Sequence, residues 1–199
     1  MKPYYEHAGI TIYHGDCREI WPALKTSIVV TDPPYGLGDR WSGGTWGSDP
    51  MYLDARRWDQ TTFDGFETLI SSATQAIVWG GNYYALPPSR CWLSWEKTQR
   101  MATMADFELA WTSLDRPSKS WSEDRNPDGK RSHPTQKPLS LMQWCLGFVG
   151  TGVVVDPFMG SGTTLLAAKN LGRHAIGIEI EERYCEMAVK RLAQEVLFP

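Results

Sequence analysis

The stretch VVVDPFMGSGTTLLAA (153–168) decides how this chain is built. A β-branched run of the kind a buried strand needs ends at Asp156. Small residues follow at Gly160, Ser161 and Gly162, and an apolar helical pattern begins at once. Strand, glycine turn and helix in that order are the repeating unit of a parallel α/β sheet. In such sheets ligands lie beyond the carboxyl ends of the strands, where the backbone comes close and a helix N-terminus faces the ligand. About twenty residues on, AIGIEI (175–180) puts Glu179 at the end of a second run, where a carboxylate can hold both hydroxyls of a ribose. The turn does not suit phosphates: Gly162 is followed by Thr163 with no lysine, and Leu165 stands where a dinucleotide fingerprint needs its third glycine. An adenosine-containing cofactor without a pyrophosphate fits better.

Working outward, short apolar runs alternate with longer helical patterns. The expected strands are ITIYHG (10–15), SIVVTD (27–32), QAIVWG (75–80), CWLSW (91–95), FELAWT (107–112), GVVVDP (152–157) and HAIGIE (174–179), which make a seven-stranded, mostly parallel sheet. Helices are expected over 61–73, 138–149, 162–171 and 181–196. The last carries acids in its first turn, Lys190 and Arg191 near its end, and an apolar stripe of Tyr184, Ala188, Leu192 and Val196. Two stretches, 37–60 and 113–136, are rich in Gly, Pro, Ser, Trp and Arg and fit neither pattern. Connections of that length are usually functional or mobile. The second holds Arg116, Lys119, Arg125, Lys130 and Arg131, the most basic local region of the chain.

At 199 residues and 42% hydrophobic, the chain has the size of one domain with a full core. A net charge of −3 excludes a whole-molecule electrostatic grip on nucleic acid, so such a partner needs a local basic patch. Cys17, Cys91, Cys145 and Cys185 are widely spaced with no C-x-x-C pair, which is neither a zinc pattern nor a disulfide framework; buried free thiols in a reducing compartment are expected. The opening MKPYYEHAGI has no apolar signal region and no run is long enough to span a bilayer, so a soluble, cytoplasmic protein is expected.

One more stretch asks for explanation. SIVVTDPPYGLG (27–38) runs a buried strand into an acid, removes two backbone donors with Pro33 and Pro34, and then presents an aromatic ring at Tyr35. DPPY (32–35) together with DPFMGSGTT (156–164) resembles the amino-directed DNA methyltransferases that use S-adenosylmethionine. The order, with DPPY before the glycine turn, is similar to their circularly permuted β group. HGDC (14–17), HPTQKP (133–138) and GIEIEERY (177–184) extend the resemblance over most of the chain.

The resemblance implies a single Rossmann-like methyltransferase domain, circularly permuted, in which the strands ending at Asp32 and Asp156 are neighbours. It implies that Asp32 and the Pro33 carbonyl accept the two N–H groups of a base's exocyclic amine, that Pro34 stiffens the turn, and that Tyr35 stacks on the base once it has swung out of duplex DNA. For the cofactor it implies Asp16 and Cys17 at the adenine, Glu179 at the ribose, Thr135 and Lys137 near the methionine end, and the loop of Asp156, Phe158, Gly160, Ser161, Gly162 and Thr163 beneath it. His133 is expected to hold structure rather than catalyse. Trp41, Trp46 and Trp58 either pack a lid or touch nucleic acid. No metal is required, because a sulfonium methyl is already activated.

Adenine N6 is favoured over cytosine N4, since the family's adenine enzymes usually begin this motif with Asp. Methylation at cytosine C5 is disfavoured, as no Pro-Cys occurs. An RNA methyltransferase, an enzyme acting on a protein amide, or a non-catalytic cofactor-binding subunit remain as rivals. The family's large target-recognition region is reduced here to the basic loop 113–136. Either sequence specificity is short or relaxed, or a second subunit, as in a homodimer, adds the missing surface.

Overall fold

The computed structural model describes residues 2–24, 28–38, 40, 58–100, 105–127 and 136–194. Among them are nine strands: β1 (Tyr5–His7), β2 (Ile10–His14), β3 (Ile28–Thr31), β4 (Gln75–Trp79), β5 (Trp92–Lys97), β6 (Phe107–Thr112), β7 (Lys119–Glu123), β8 (Val154–Asp156) and β9 (Ala175–Glu179). They form one sheet in the order β1-β2-β9-β8-β3-β4-β6-β5-β7. The run from β2 through β9, β8 and β3 to β4 is parallel, while β1, and β6 against both its neighbours, pair antiparallel.

All seven expected strands are present, and the expected count of seven is corrected to nine. Neither addition carries an apolar run. β1 joins β2 through a turn in which Ala8 (φ 48°) and Gly9 (φ 79°) are both left-handed, the geometry of a tight hairpin. β7 lies inside the stretch expected as a loop over 113–136. It is an edge strand, parallel to β5, with exposed or half-buried side chains throughout. Arg125, counted toward a basic surface, is buried and donates to the Ala105 carbonyl at 3.1 Å; Arg116 lies 4.9 Å from the ring centre of Phe148.

The α-helices that lie wholly among the described residues are α1 (Cys17–Ile20), α2 (Phe66–Ser71), α3 (Leu139–Leu146), α4 (Thr163–Asn170) and α5 (Glu182–Ala193). The helix expected over 61–73 begins only at Phe66, because Gly65 caps it in a left-handed conformation and Thr62 is used in a β-bridge to Tyr35. Each central strand is apolar on both faces, as a parallel sheet covered on both sides requires. Ile28 and Val30 of β3 and Ile77 and Trp79 of β4 face the core made with α3, α4 and α5. Val29, Ala76 and Val78 face the opposite core, made with α1 and α2. The four cysteines are free and buried. No helix among the described residues is long and apolar enough to cross a membrane.

This architecture sets a row of acids along one edge. The parallel strands β2, β9, β8 and β3 end, or lead within two residues, at Asp16, Glu179, Asp156 and Asp32 in that spatial order.

Candidate active site

A cavity of about 260 Å³ runs along these strand ends. Of the residues expected at a site, Asp16, Cys17, Asp32, Pro34, Lys137, Asp156, Phe158, Gly160, Ser161, Thr163 and Glu179 line it. Pro33, Tyr35 and Gly162 adjoin lining residues in the chain and are not themselves among them. Thr135 and His133 fall outside the described residues, as do Trp41, Trp46, Lys130, Arg131 and most of 37–60. Trp58, at the end of that stretch, lines the cavity.

The glycine turn is shaped from two directions. Gly160 has φ +50° with nothing within 4 Å of the place a Cβ would take, so its backbone is open to a ligand. Its N–H donates to Glu179 Oε2 at 2.9 Å, which ties the turn to the acid of the next strand. Glu179 Oε1 accepts from the Glu181 N–H at 2.9 Å. Burial outweighs these bonds and pushes the Glu179 carboxyl up to about 7. Gly162 is also a point of helix packing. With φ +78°, it admits α5, since a Cβ there would stand 2.8 Å from the Cβ of Ala188. Arg191 of α5 reaches back into the turn and donates to the Ser161 carbonyl at 2.6 Å, Ser161 Oγ at 2.9 Å and Thr163 Oγ1 at 3.1 Å.

Asp156 is committed to the protein itself. Its Oδ1 accepts from Thr31 Oγ1 (2.7 Å) and the Phe158 N–H (3.1 Å), and its Oδ2 from Thr164 Oγ1 (2.6 Å). Burial nonetheless lifts its carboxyl to about 6. Because Thr31 immediately precedes Asp32, this buried link fixes the end of β3 against the end of β8. At the other end of the cavity Asp16 caps α1 and is gripped by Arg18, whose Nε lies 3.0 Å from both carboxylate oxygens. That side-chain pairing holds the Asp16 carboxyl below its ordinary range. Phe158 and Phe63 form an edge-to-face aromatic pair in the wall, ring centres 4.9 Å apart.

The Asp-Pro-Pro-Tyr turn is clamped from outside the motif. Buried Asp59 accepts the N–H groups of Tyr35 (2.5 Å) and Gly36 (2.8 Å), and Tyr84 donates its hydroxyl to the Pro34 carbonyl. The Tyr35 ring packs on Gly80, where an added Cβ would come within 2.0 Å of Cε1, and stacks on Tyr83 with centres 4.9 Å apart and planes 17° from parallel. Its hydroxyl donates to Asp32 Oδ1, and Lys137 Nζ lies 2.6 Å from Asp32 Oδ2. Burial raises the Asp32 carboxyl, and Lys137 opposes that rise.

Asp59, Tyr83, Tyr84, Phe63 and Arg191 were not singled out as site residues from the sequence. Each reaches the site through the fold rather than through a motif. The apolar spacing around Arg191 was legible, but nothing in it shows that a guanidinium on α5 reaches the glycine turn.

Charge, shape and strand order suit a cofactor laid across the glycine turn. Comparison with known proteins bears on the family and the fold. The profile of the DNA methylase family, whose members are N6- and N4-directed, matches residues 86–190. The type II methyltransferase M.ScaI of Streptomyces caespitosus is 27% identical over 98% of this chain and 84% of its own. The crystal structure of the M1.HpyAVI–SAM complex superposes with a TM-score of 0.57 at 25% identity, covering 93% of this chain and 100% of the other. The cytosine-N4-specific PvuII DNA methyltransferase shares the fold, with a TM-score of 0.68 at 18% identity over 99% of this chain and 91% of the other.

Proposed function

The chain belongs to the N6/N4 DNA methylase family, and from that premise we propose that it transfers a methyl group from S-adenosylmethionine to N6 of an adenine flipped out of duplex DNA. The observation that carries the reading is the adjacency of β3 and β8. One cavity wall holds both Asp32 and Gly160, so an acceptor for an amine and a seat for a donor face the same space. In this reading the chain is circularly permuted, with the catalytic strand ahead of the cofactor strand.

The residues present fit the cofactor. Phe158 and Phe63 offer aromatic surface to an adenine, Glu179 an acceptor for ribose hydroxyls, and Gly160 an unobstructed backbone. Bound there, the cofactor supplies an electrophilic methyl on a sulfonium. The protein's part is to prepare the nucleophile, because the lone pair of an exocyclic amine is delocalised into its ring. Asp32 and the Pro33 carbonyl accept the amine's two N–H groups, which favours a pyramidal nitrogen and aims its lone pair at the methyl. The N–C bond forms as the S–C bond breaks, S-adenosylhomocysteine leaves, and the surplus amine proton passes to water. Orientation of this kind lowers a barrier by roughly 7–11 kcal/mol in favourable cases, without metal or covalent intermediate. Lys137 opposes the rise that burial imposes on the Asp32 carboxyl, and Asp59 and Tyr84 keep the turn from yielding.

Mass spectrometry of nucleosides from DNA of cells expressing the chain, with Asp32→Ala as control, tests the reading. N6-methyladenine present with the wild type and absent with the variant is the expected result. N4-methylcytosine instead would overturn the choice of base, and neither product would overturn the activity.

A further inference from the structure

Lys137 has more ionic partners than contact with Asp32 requires. Its Nζ lies 2.6 Å from Asp32 Oδ2, 3.1 Å from Glu108 Oε2 on β6 and 3.3 Å from Tyr35 Oη, which accounts for all three of its N–H donors. The other oxygen of Glu108, Oε1, lies 2.5 Å from Lys97 Nζ on β5. Asp32, Lys137, Glu108 and Lys97 thus alternate in sign from the cavity wall into the antiparallel part of the sheet. The two lysine side chains are only 6% and 7% exposed.

Charges this deep persist when every member is paired and become costly when one is removed. Burial pushes the Lys137 ammonium toward neutrality, but Asp32 and Glu108 outweigh it and hold the group charged. Glu108, itself pushed up by burial, is brought down to about 2 by the two lysines. Glu108 does not line the cofactor cavity, whereas Lys137 and Asp32 do. Its effect on chemistry therefore runs through Lys137. With one carboxylate only, the flexible lysine would follow Asp32 wherever that side chain turned. With Glu108 fixed on a strand, the ammonium has a set place, and the Asp32 carboxylate is turned to meet it with Oδ2. Oδ1, on which the Tyr35 hydroxyl rests, is then the oxygen presented to an entering amine.

We infer that Glu108 is a positioning residue for methyl transfer, anchoring Lys137 so that the Asp32 carboxylate holds one fixed orientation toward the amine. This rests on the role proposed for Asp32. The competing account is that Glu108 only neutralises Lys97. Lys97→Met removes that duty and serves as the reference against which Lys97→Met/Glu108→Gln is measured.

Three readouts decide: the single-turnover rate on duplex DNA, the Kd for S-adenosylmethionine, and the ¹⁵N resonance of the Lys137 ammonium, which is visible while its protons are held from exchange. Relative to the reference, the double variant should keep its Kd within about twofold, lose about 10- to 100-fold in rate, as for a misplaced catalytic group, and lose the ammonium resonance. Rate and resonance equal to the reference would overturn the inference. So would a fall in cofactor affinity as large as the fall in rate, since that places the effect in the cavity or the fold. If the wild type transfers no methyl to DNA, the proposed function fails and the role of Glu108 in that transfer falls with it; with transfer intact, a resonance retained in the double variant overturns the inference by itself.

Discussion

Cofactor affinity should depend on pH through Glu179. Burial is the largest influence on this carboxyl and lifts it to about 7, even though the N–H groups of Glu181 and Gly160 favour its charged form. In the proposed binding mode ribose hydroxyls donate to the carboxylate, so binding would draw on the ionised fraction. Affinity is then complete above pH 7 and declines as the pH falls through that value. If only the ionised form binds, Kd relative to its alkaline limit is about 1.1-fold at pH 8, about 2-fold at pH 7 and about 11-fold at pH 6. Calorimetric titration of S-adenosylmethionine at these three pH values reads the effect. Dividing by the same series for Glu179→Gln cancels protonation of the cofactor itself, and buffers of different ionisation enthalpy should report about half a proton released near pH 7. A ratio flat from pH 8 to 6 would refute the assignment of Glu179 to the ribose.

Gly80→Ala puts a Cβ 2.0 Å from Tyr35 Cε1 at a residue with φ +65°, so the Tyr35 ring must shift and its hydroxyl bond to Asp32 with it; methyl transfer should fall at least about tenfold while cofactor affinity, measured by calorimetry, holds. Arg191→Leu removes the guanidinium nitrogen that contacts the Ser161 carbonyl, Ser161 Oγ and Thr163 Oγ1, and leaves that carbonyl without its charged partner. A loss of about 1–3 kcal/mol in cofactor binding is expected by calorimetry, with the rate at saturating cofactor largely kept. Asp59→Asn weakens the clamp on the N–H groups of Tyr35 and Gly36 and should cost about 1–3 kcal/mol of stability, read as a fall in the chemical denaturation midpoint with the m-value unchanged.

The sheet was legible wherever strands are buried on both faces, because Ile28 to Thr31, Gln75 to Trp79 and their neighbours are unbroken apolar or β-branched runs. β7 was not. As an edge strand with the sequence KSWSE it needs no apolar face, and only its pairing with β5 makes it a strand. The helix at 61–73 was overestimated because its first residues have helix-compatible spacing, yet Thr62 is committed to Tyr35. At the site, the two motifs and Glu179 were readable because short local segments carry them. Lys97 and Glu108 were not, since each looks like an ordinary polar residue of a strand and only the sheet brings them to Lys137. Gly162 was read as cofactor backbone, and that it also admits α5 depends on where Ala188 lies, which no local segment shows.

The pairing of Asp32 with Tyr35 and Lys137 bears on waste. A reactive sulfonium near an idle carboxylate invites attack by solvent, because a free acid can align and polarise a water molecule. Here both oxygens of that acid already hold a donor when no base is present. A water entering must compete with a phenol and an ammonium for either oxygen. On the proposed function, the same two side chains that hold the acid at rest would therefore spare a bound methyl donor from hydrolysis until a base arrives.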